Sequence, residues 1–210
     1  MMTRVKICGI TRDKDACLAI ELGASALGFN FYSRSPRYLS PETASAIASH
    51  LPPFVSAVGV FADEVDGERV AAIARRARMT AIQLHGPRFP KQGRSLDGFP
   101  LIRAVSVMPG FTPNTLKTVD AAAILLDAFD AERIGGSGKV TDWQLARQAA
   151  LAGKPIILAG GLTPENVAEA VEIVKPYAVD VATGVESSPG IKDAAKLQAF
   201  FAAVNHANGQ

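Results

Sequence analysis

Apolar strand-like runs and amphipathic helical runs alternate along this chain at a spacing of ~25 residues, and that alternation restricts its fold more than any other feature. The strand-like runs are Val5 to Cys8, Ala26 to Phe31, Val55 to Phe61, Ala81 to His85, Leu101 to Val105, Ala123 to Asp127, Pro155 to Ala159 and Val179 to Thr183. Ser40-Pro41-Glu42 and Thr163-Pro164-Glu165 each offer a hydroxyl at the N-cap, a proline at the first helical position and an acid in the first turn. Gly23 reads as the glycine that stops the first helix. Helical crossovers join parallel strands, and eight such units close a barrel. The predicted fold is therefore a single-domain (β/α)8 TIM barrel of parallel strands over residues 1–210, with a doubly wound open sheet as the alternative. A chain of 210 residues, 48% of them hydrophobic, supports one sizeable core and not two. The fourth unit looks degenerate, because Gly86-Pro87-Arg88-Phe89-Pro90 carries little helical periodicity.

Charge and cysteine usage exclude several function classes. The formal net charge of +2 is spread along the chain, and its densest cluster, Arg75, Arg76 and Arg78, falls at a predicted helix end, where cations complement the macrodipole. No nucleic-acid partner is expected from it. No run has the length of a membrane span and none has the form of a secretory leader, so the expected location is cytoplasmic, without a membrane partner. Cys8 and Cys17 sit on a strand end and in the following helix, a placement unsuited to a disulfide; Cys17 is expected to be a small core residue.

In a barrel of this type, reactive groups belong at the C-terminal ends of the strands. That rule selects Cys8 and Asp127, a base and an acid on rigid strand ends, suited to taking a proton from carbon and giving one to oxygen. After the seventh and eighth strands come Gly160-Gly161 and Thr183-Gly184. Glycines there let backbone N–H groups approach an anion, and this end of the barrel is where phosphate binds. Gly135-Gly136-Ser137-Gly138-Lys139 is not a P-loop, because Arg133 and Val140 stand where Gly and Ser or Thr are needed; it reads as a lid after the sixth strand. Arg37, in a loop stiffened by Pro36, offers a planar fork to a carboxylate.

These residues resemble a known family. Lys-Ile-Cys-Gly-Ile-Thr at positions 6 to 11, Ser35-Pro36-Arg37, Gln83-Leu84-His85-Gly86, Leu125-Leu126-Asp127, Gly-Gly-Ser-Gly in the sixth loop, Leu158-Ala159-Gly160-Gly161-Leu162, and Gly184-Val185-Glu186 followed by Pro189-Gly190-Ile191-Lys192-Asp193 look like the phosphoribosylanthranilate isomerases of tryptophan biosynthesis. The resemblance runs in order over essentially the whole chain. It implies an Amadori rearrangement of an N-linked phosphoribosyl anthranilate to an aminodeoxyribulose phosphate. It makes Asp127 the general acid on the ring oxygen and Cys8 the general base at C2′. It also makes Arg37 the partner of the anthranilate carboxylate, and Gly160, Gly161, Thr183 and Gly184 the phosphate site. The substrate supplies its own iminium nitrogen, so neither metal nor cofactor is implied. Thr183 stands where the family often has Ser, and keeps the hydroxyl. Thr141 stands where the family often has an aromatic.

Strand periodicity adds one inference. Lys6 and Cys8 are two apart and face one side, so Lys6 lies ~6–7 Å below the thiol and is expected to lower its pKa. Asp180, on the strand that adjoins the first in a closed barrel, is the expected partner of Lys6 and a substrate-binding candidate; the alternative is that Lys6 snorkels out of the barrel bottom. His85, at the end of the fourth strand, is a further binding candidate. Related phosphosugar barrels fit less well: the histidine-pathway isomerase has a carboxylate pair where Cys8 stands, and ribulose-phosphate epimerases need a metal cluster. A non-catalytic phosphosugar binder would need neither Cys8 nor Asp127. Monomer and homodimer are both open.

Overall fold

The computed structural model describes residues 2–63, 66–86, 95–107, 111–128, 142–151 and 153–209. Eight strands form its centre: β1 (Arg4–Cys8), β2 (Ala26–Asn30), β3 (Ser56–Ala62), β4 (Ala81–His85), β5 (Phe99–Val107), β6 (Ala123–Ala128), β7 (Ile156–Leu158) and β8 (Ala178–Val181). They pair in the order β4-β3-β2-β1-β8-β7-β6-β5, every pairing is parallel, and β4 with β5 closes the ring. This is the expected barrel, and closure excludes the open sheet. The strand boundaries read from the apolar runs agree with these to within two residues.

Outside the ring lie α1 (Asp13–Glu21), α2 (Pro41–Ala48), α3 (Gly67–Arg76), α4 (Trp143–Ala150), α5 (Val167–Val174) and α6 (Ala194–Ala207). Side-chain caps start most of them. Ser40 accepts from Thr43 N at 3.2 Å as expected, and Asp66, Asp142 and Asp193 cap α3, α4 and α6. Gly23 has the positive φ of a helix stop, +104°. The Thr163 cap is a correction. The chain turns once more before α5 begins at Val167, because Asn166 folds back, accepting from Thr163 N at 2.8 Å and donating to Gly161 O at 2.9 Å. Between His85 and Phe99 the described residues hold no helix, only Ser95–Leu96 antiparallel to Phe99–Pro100, and a 3-10 turn (Pro113–Thr118) follows β5. Among the described residues, no helix is long and apolar enough to cross a membrane.

Strand alternation makes two cores. Val58, Ile102, Ala123, Leu125, Ile157, Ala159 and Ala178 fill the barrel interior. Ile7, Leu27, Phe29, Ile82, Leu84, Ile124, Leu126, Leu158 and Val179 point outward under the helices, against residues such as Phe200, Phe201 and Val167. The inward row therefore carries Lys6 and Cys8 on β1, Gln83 and His85 on β4, Leu125 and Asp127 on β6, and Asp180 on β8. Cys17 is a second correction: α1 turns Ala16 and Ala19 inward and leaves Cys17 exposed, where it meets Asp13 one turn back. Arg75 and Arg76 are exposed and pair with Asp97 and Glu42, as a solvated helix end should.

Candidate active site

The C-terminal ends of the strands surround a cavity of about 710 Å³, within the roughly 300–1,000 Å³ of small-molecule sites. Each residue expected in the site lines it: Cys8 from β1, Arg37 from the loop after β2, His85 from β4, Asp127 from β6, Gly160 and Gly161 after β7, Asp180 from β8, and Thr183 and Gly184 beyond it. Parallel strands in a closed ring bring these distant positions together, since every strand ends on the same face. The expected lid residues Gly135 to Lys139, and Thr141, lie outside the described residues.

On the β1 side, Lys6 and Asp180 are register partners. Lys6 Nζ donates to Asp180 Oδ1 at 2.8 Å with both side chains buried, so Lys6 does not snorkel out. Burial works against the Lys6 ammonium, but Asp180 and Cys8 outweigh it and hold its pKa above the ordinary value. Cys8 is opposite Gly28 on β2. A Cβ on Gly28 would come within 2.8 Å of Cys8 Sγ and 3.1 Å of Lys6 Nζ, so this glycine leaves the space in which thiol and ammonium meet. The expected lowering of the Cys8 pKa is overturned in its net direction. Burial raises the thiol pKa; Lys6 and Lys192 oppose that, but Asp180 adds a like charge, and the balance stays above the ordinary value.

On the β4 side, the Gln83 side-chain amide and His85 Nε2 are joined by a 2.6 Å hydrogen bond. Burial, with Lys6 adding a like charge, lowers the His85 pKa to about 4. The ring is thus neutral at physiological pH. In an NMR titration the His85 ring signals should stay flat from pH 8 down to about 5; a His85 midpoint near the ordinary 6.5 would overturn this. Gln83 is 1% exposed, lines the same cavity and has its Oε1 without a partner among the described residues. The sequence shows it only as part of the Gln83-Leu84-His85-Gly86 motif and assigns it no role, because a polar residue in the inward row of a strand is recognisable as such only once the strand's facing is known.

The remaining walls suit anions. Gly160 and Gly161 adopt φ of +87° and +64°, a left-handed backbone that suits glycine. Their N–H groups have no partner among the described residues. A Cβ on Gly184 would run into the Leu162 carbonyl, so close packing of the two loops also requires glycine there. Arg37 does enter the cavity, but not with a whole fork to offer. Its Nε and Nη2 donate to Glu186 at 2.8 and 2.6 Å, and Nη2 also donates to Thr183 Oγ1 at 3.2 Å. Glu186 is thus a further member of the site that the sequence motif contained without revealing its partner.

A thiol, a carboxyl group, a guanidinium and two glycine turns around one cavity at the open end of a (β/α)8 barrel suit acid–base chemistry on a phosphorylated carboxylate. The family model described as N-(5'phosphoribosyl)anthranilate (PRA) isomerase matches residues 5–203. The chain belongs to this family. An N-(5'-phosphoribosyl)anthranilate isomerase from Trichlorobacter lovleyi is 47% identical to it over 206 residues, covering 95% of this chain and 97% of that protein. The crystal structure of phosphoribosyl anthranilate isomerase from Thermus thermophilus is similar at a TM-score of 0.86 and 40% identity, covering 97% of this chain and 99% of the other. A further isomerase structure, solved in complex with reduced 1-(o-carboxyphenylamino)-1-deoxyribulose 5-phosphate, is similar at a TM-score of 0.80 and 36% identity, covering 98% of this chain and 100% of that one.

Proposed function

We infer that this cavity carries out the reaction for which the family is named, the Amadori rearrangement of N-(5'-phosphoribosyl)anthranilate to 1-(2-carboxyphenylamino)-1-deoxyribulose 5-phosphate in tryptophan biosynthesis, and we assign the steps to residues. Asp127 gives its proton to the ribose ring oxygen as the C1′–O bond breaks, and the anilino nitrogen lone pair forms the iminium. Cys8, through the fraction of it that is ionised beside the Lys6 ammonium, takes the proton from C2′; the released electron pair forms C1′=C2′ and neutralises the nitrogen. The enolamine then loses its O2′ proton and gains one at C1′, giving the ketone with no net change in protons. Gly160, Gly161, Thr183 and Gly184 hold the phosphate through backbone N–H groups and the Thr183 hydroxyl, and Arg37 meets the carboxylate. His85 and Asp180 complete the substrate-binding wall.

The observation that carries this reading is the convergence of Cys8 and Asp127, from the ends of β1 and β6, on one cavity with the glycine turns and Arg37. The direct test is loss of anthranilate fluorescence when phosphoribosylanthranilate is added to purified protein; no turnover would leave a phosphosugar binder. A second measurement examines the base. Because Lys6 lowers and burial raises the Cys8 pKa, removing the ammonium should move it further up. Alkylation of Cys8 by iodoacetamide, followed against pH, should therefore show a higher midpoint in Lys6→Met than in the wild type, and superimposable curves would sink the coupling.

A further inference from the structure

The hairpin after β8, in which Glu186–Ser188 pairs with Ile191–Lys192, carries two buried charges that take no part in the proton transfers. Lys192 Nζ donates to Glu186 Oε1 at 2.9 Å, to the Cys8 carbonyl at 2.6 Å and to the Ala182 carbonyl at 3.2 Å. Both ends of the catalytic rim, β1 and β8, are therefore tied to one ammonium. Glu186 accepts Gly190 N and Lys192 on Oε1 and both donors of the Nε–Nη2 edge of Arg37. The hairpin is pinned from outside as well, because Lys192 N donates to buried Asp15 at 3.1 Å, itself gripped by Arg12. Burial pushes the Glu186 carboxyl up, but Arg37 and Lys192 outweigh it and hold it ionised, below the ordinary range.

Arg37 reaches this carboxylate from a loop on the other side of β1. Its methylenes cross Gly9, where φ is +74° and a Cβ would run into Arg37 Cδ. The guanidinium is thus seated on Gly9, gripped along one edge by Glu186, and bonded through Nη2 to Thr183. Nη1 is the nitrogen left without a partner among the described residues. A solvated arginine on a loop would lose rotamer freedom on meeting a substrate, whereas one held this way has lost it already. Two cations around one anion also leave net positive charge, presented to the cavity through Arg37.

We propose that Glu186, with Lys192 as its counter-cation, is a positioning residue that holds Arg37 with Nη1 facing the ortho-carboxylate of the substrate, so that selectivity for a carboxylated aniline depends on a glutamate that never touches it. This rests on Arg37 being the carboxylate's partner. Without Glu186, Arg37 and Lys192 would be two like charges at one site, and Arg37 would leave its seat.

The experiment compares kcat/KM for phosphoribosylanthranilate with that for phosphoribosylaniline, which lacks the carboxylate, in the wild type, Arg37→Met, Glu186→Gln and the double variant. The ratio of the two values should fall about 10- to 100-fold in Arg37→Met, as expected for a lost hydrogen bond to a charged group. It should fall by a similar factor in Glu186→Gln, mainly through KM for the carboxylated substrate, and no further in the double variant. A purely structural role would lower both substrates together and leave the ratio at its wild-type value, which would overturn the proposal. If Arg37→Met itself leaves the ratio unchanged, the reading of Arg37 fails and the proposal falls with it. A fall in Arg37→Met without one in Glu186→Gln would sink the positioning role alone. Should Glu186→Gln not fold, Glu186→Asp, which keeps the charge but withdraws it by one methylene, must show the selective loss.

Discussion

Cys8→Ser and Asp127→Asn should each lower kcat by about 10²- to 10⁴-fold, the usual contribution of a positioned acid or base. Both substitutions keep shape while removing function. Serine's hydroxyl holds its proton far more tightly than a thiol, and an amide has no proton to give a ring oxygen. Asp127 is 8% exposed and sits on β6 in register with Ser106 of β5, so its carboxyl is held by strand geometry and not by a mobile loop. The two groups serve different steps, ring opening and C2′ deprotonation, so the double variant should be little slower than the worse single one. Binding of a reduced product analogue should stay within a few-fold of wild type in both. Either variant retaining more than a tenth of the wild-type rate would remove that residue from its role.

Asp180→Ala should be the most destabilising of the site substitutions. It leaves the Lys6 ammonium 2% exposed without its carboxylate, and breaking a buried pair from one side costs about 3–5 kcal/mol. For a chain of this size that corresponds to a fall in Tm of about 10 °C. Lys6→Met with Asp180→Leu should recover most of that loss, since two apolar side chains of similar volume need no ionic partner, while leaving the enzyme impaired because the thiol has lost its neighbouring cation. Thermal unfolding of the single and double variants decides it: an Asp180→Ala protein melting within 2 °C of wild type would mean that Lys6 finds another partner or water.

Position 8 shows how much of this was legible in the chain. A strand alternates its faces, so an apolar run ending in Cys placed the thiol at a rim, and its spacing from Lys6 put both on one face; closure of the ring then made Asp180 the register partner of Lys6. The same regularity located Asp127 and the glycine turns of the last two units. These inferences succeeded because they depend on local periodicity and on the fixed side of a barrel at which strands end. Helix facing was less legible. Cys17 lies within a short helix whose apolar residues, Ala16 to Ile20, run consecutively and mark no single face, and its direction was set by which face packs on the sheet.

What the sequence by itself determined is therefore the barrel, the end at which the site lies and many of the residues that reach it, though not Gln83 or the role of Glu186, because hydrophobic period and turn chemistry act over a few residues at a time. Only the tertiary structure decided how those groups are charged and aimed. The thiol pKa turns on the balance between burial and two opposite charges that come from β1 and β8. Which nitrogen of Arg37 is left without a partner among the described residues turns on a glutamate 149 residues away. Gly28 and Gly9 owe their identity to side chains that cross above them, Cys8 and Lys6 in one case and Arg37 in the other. Electrostatics and close packing are properties of groups brought together by the fold, and no window of sequence contains them.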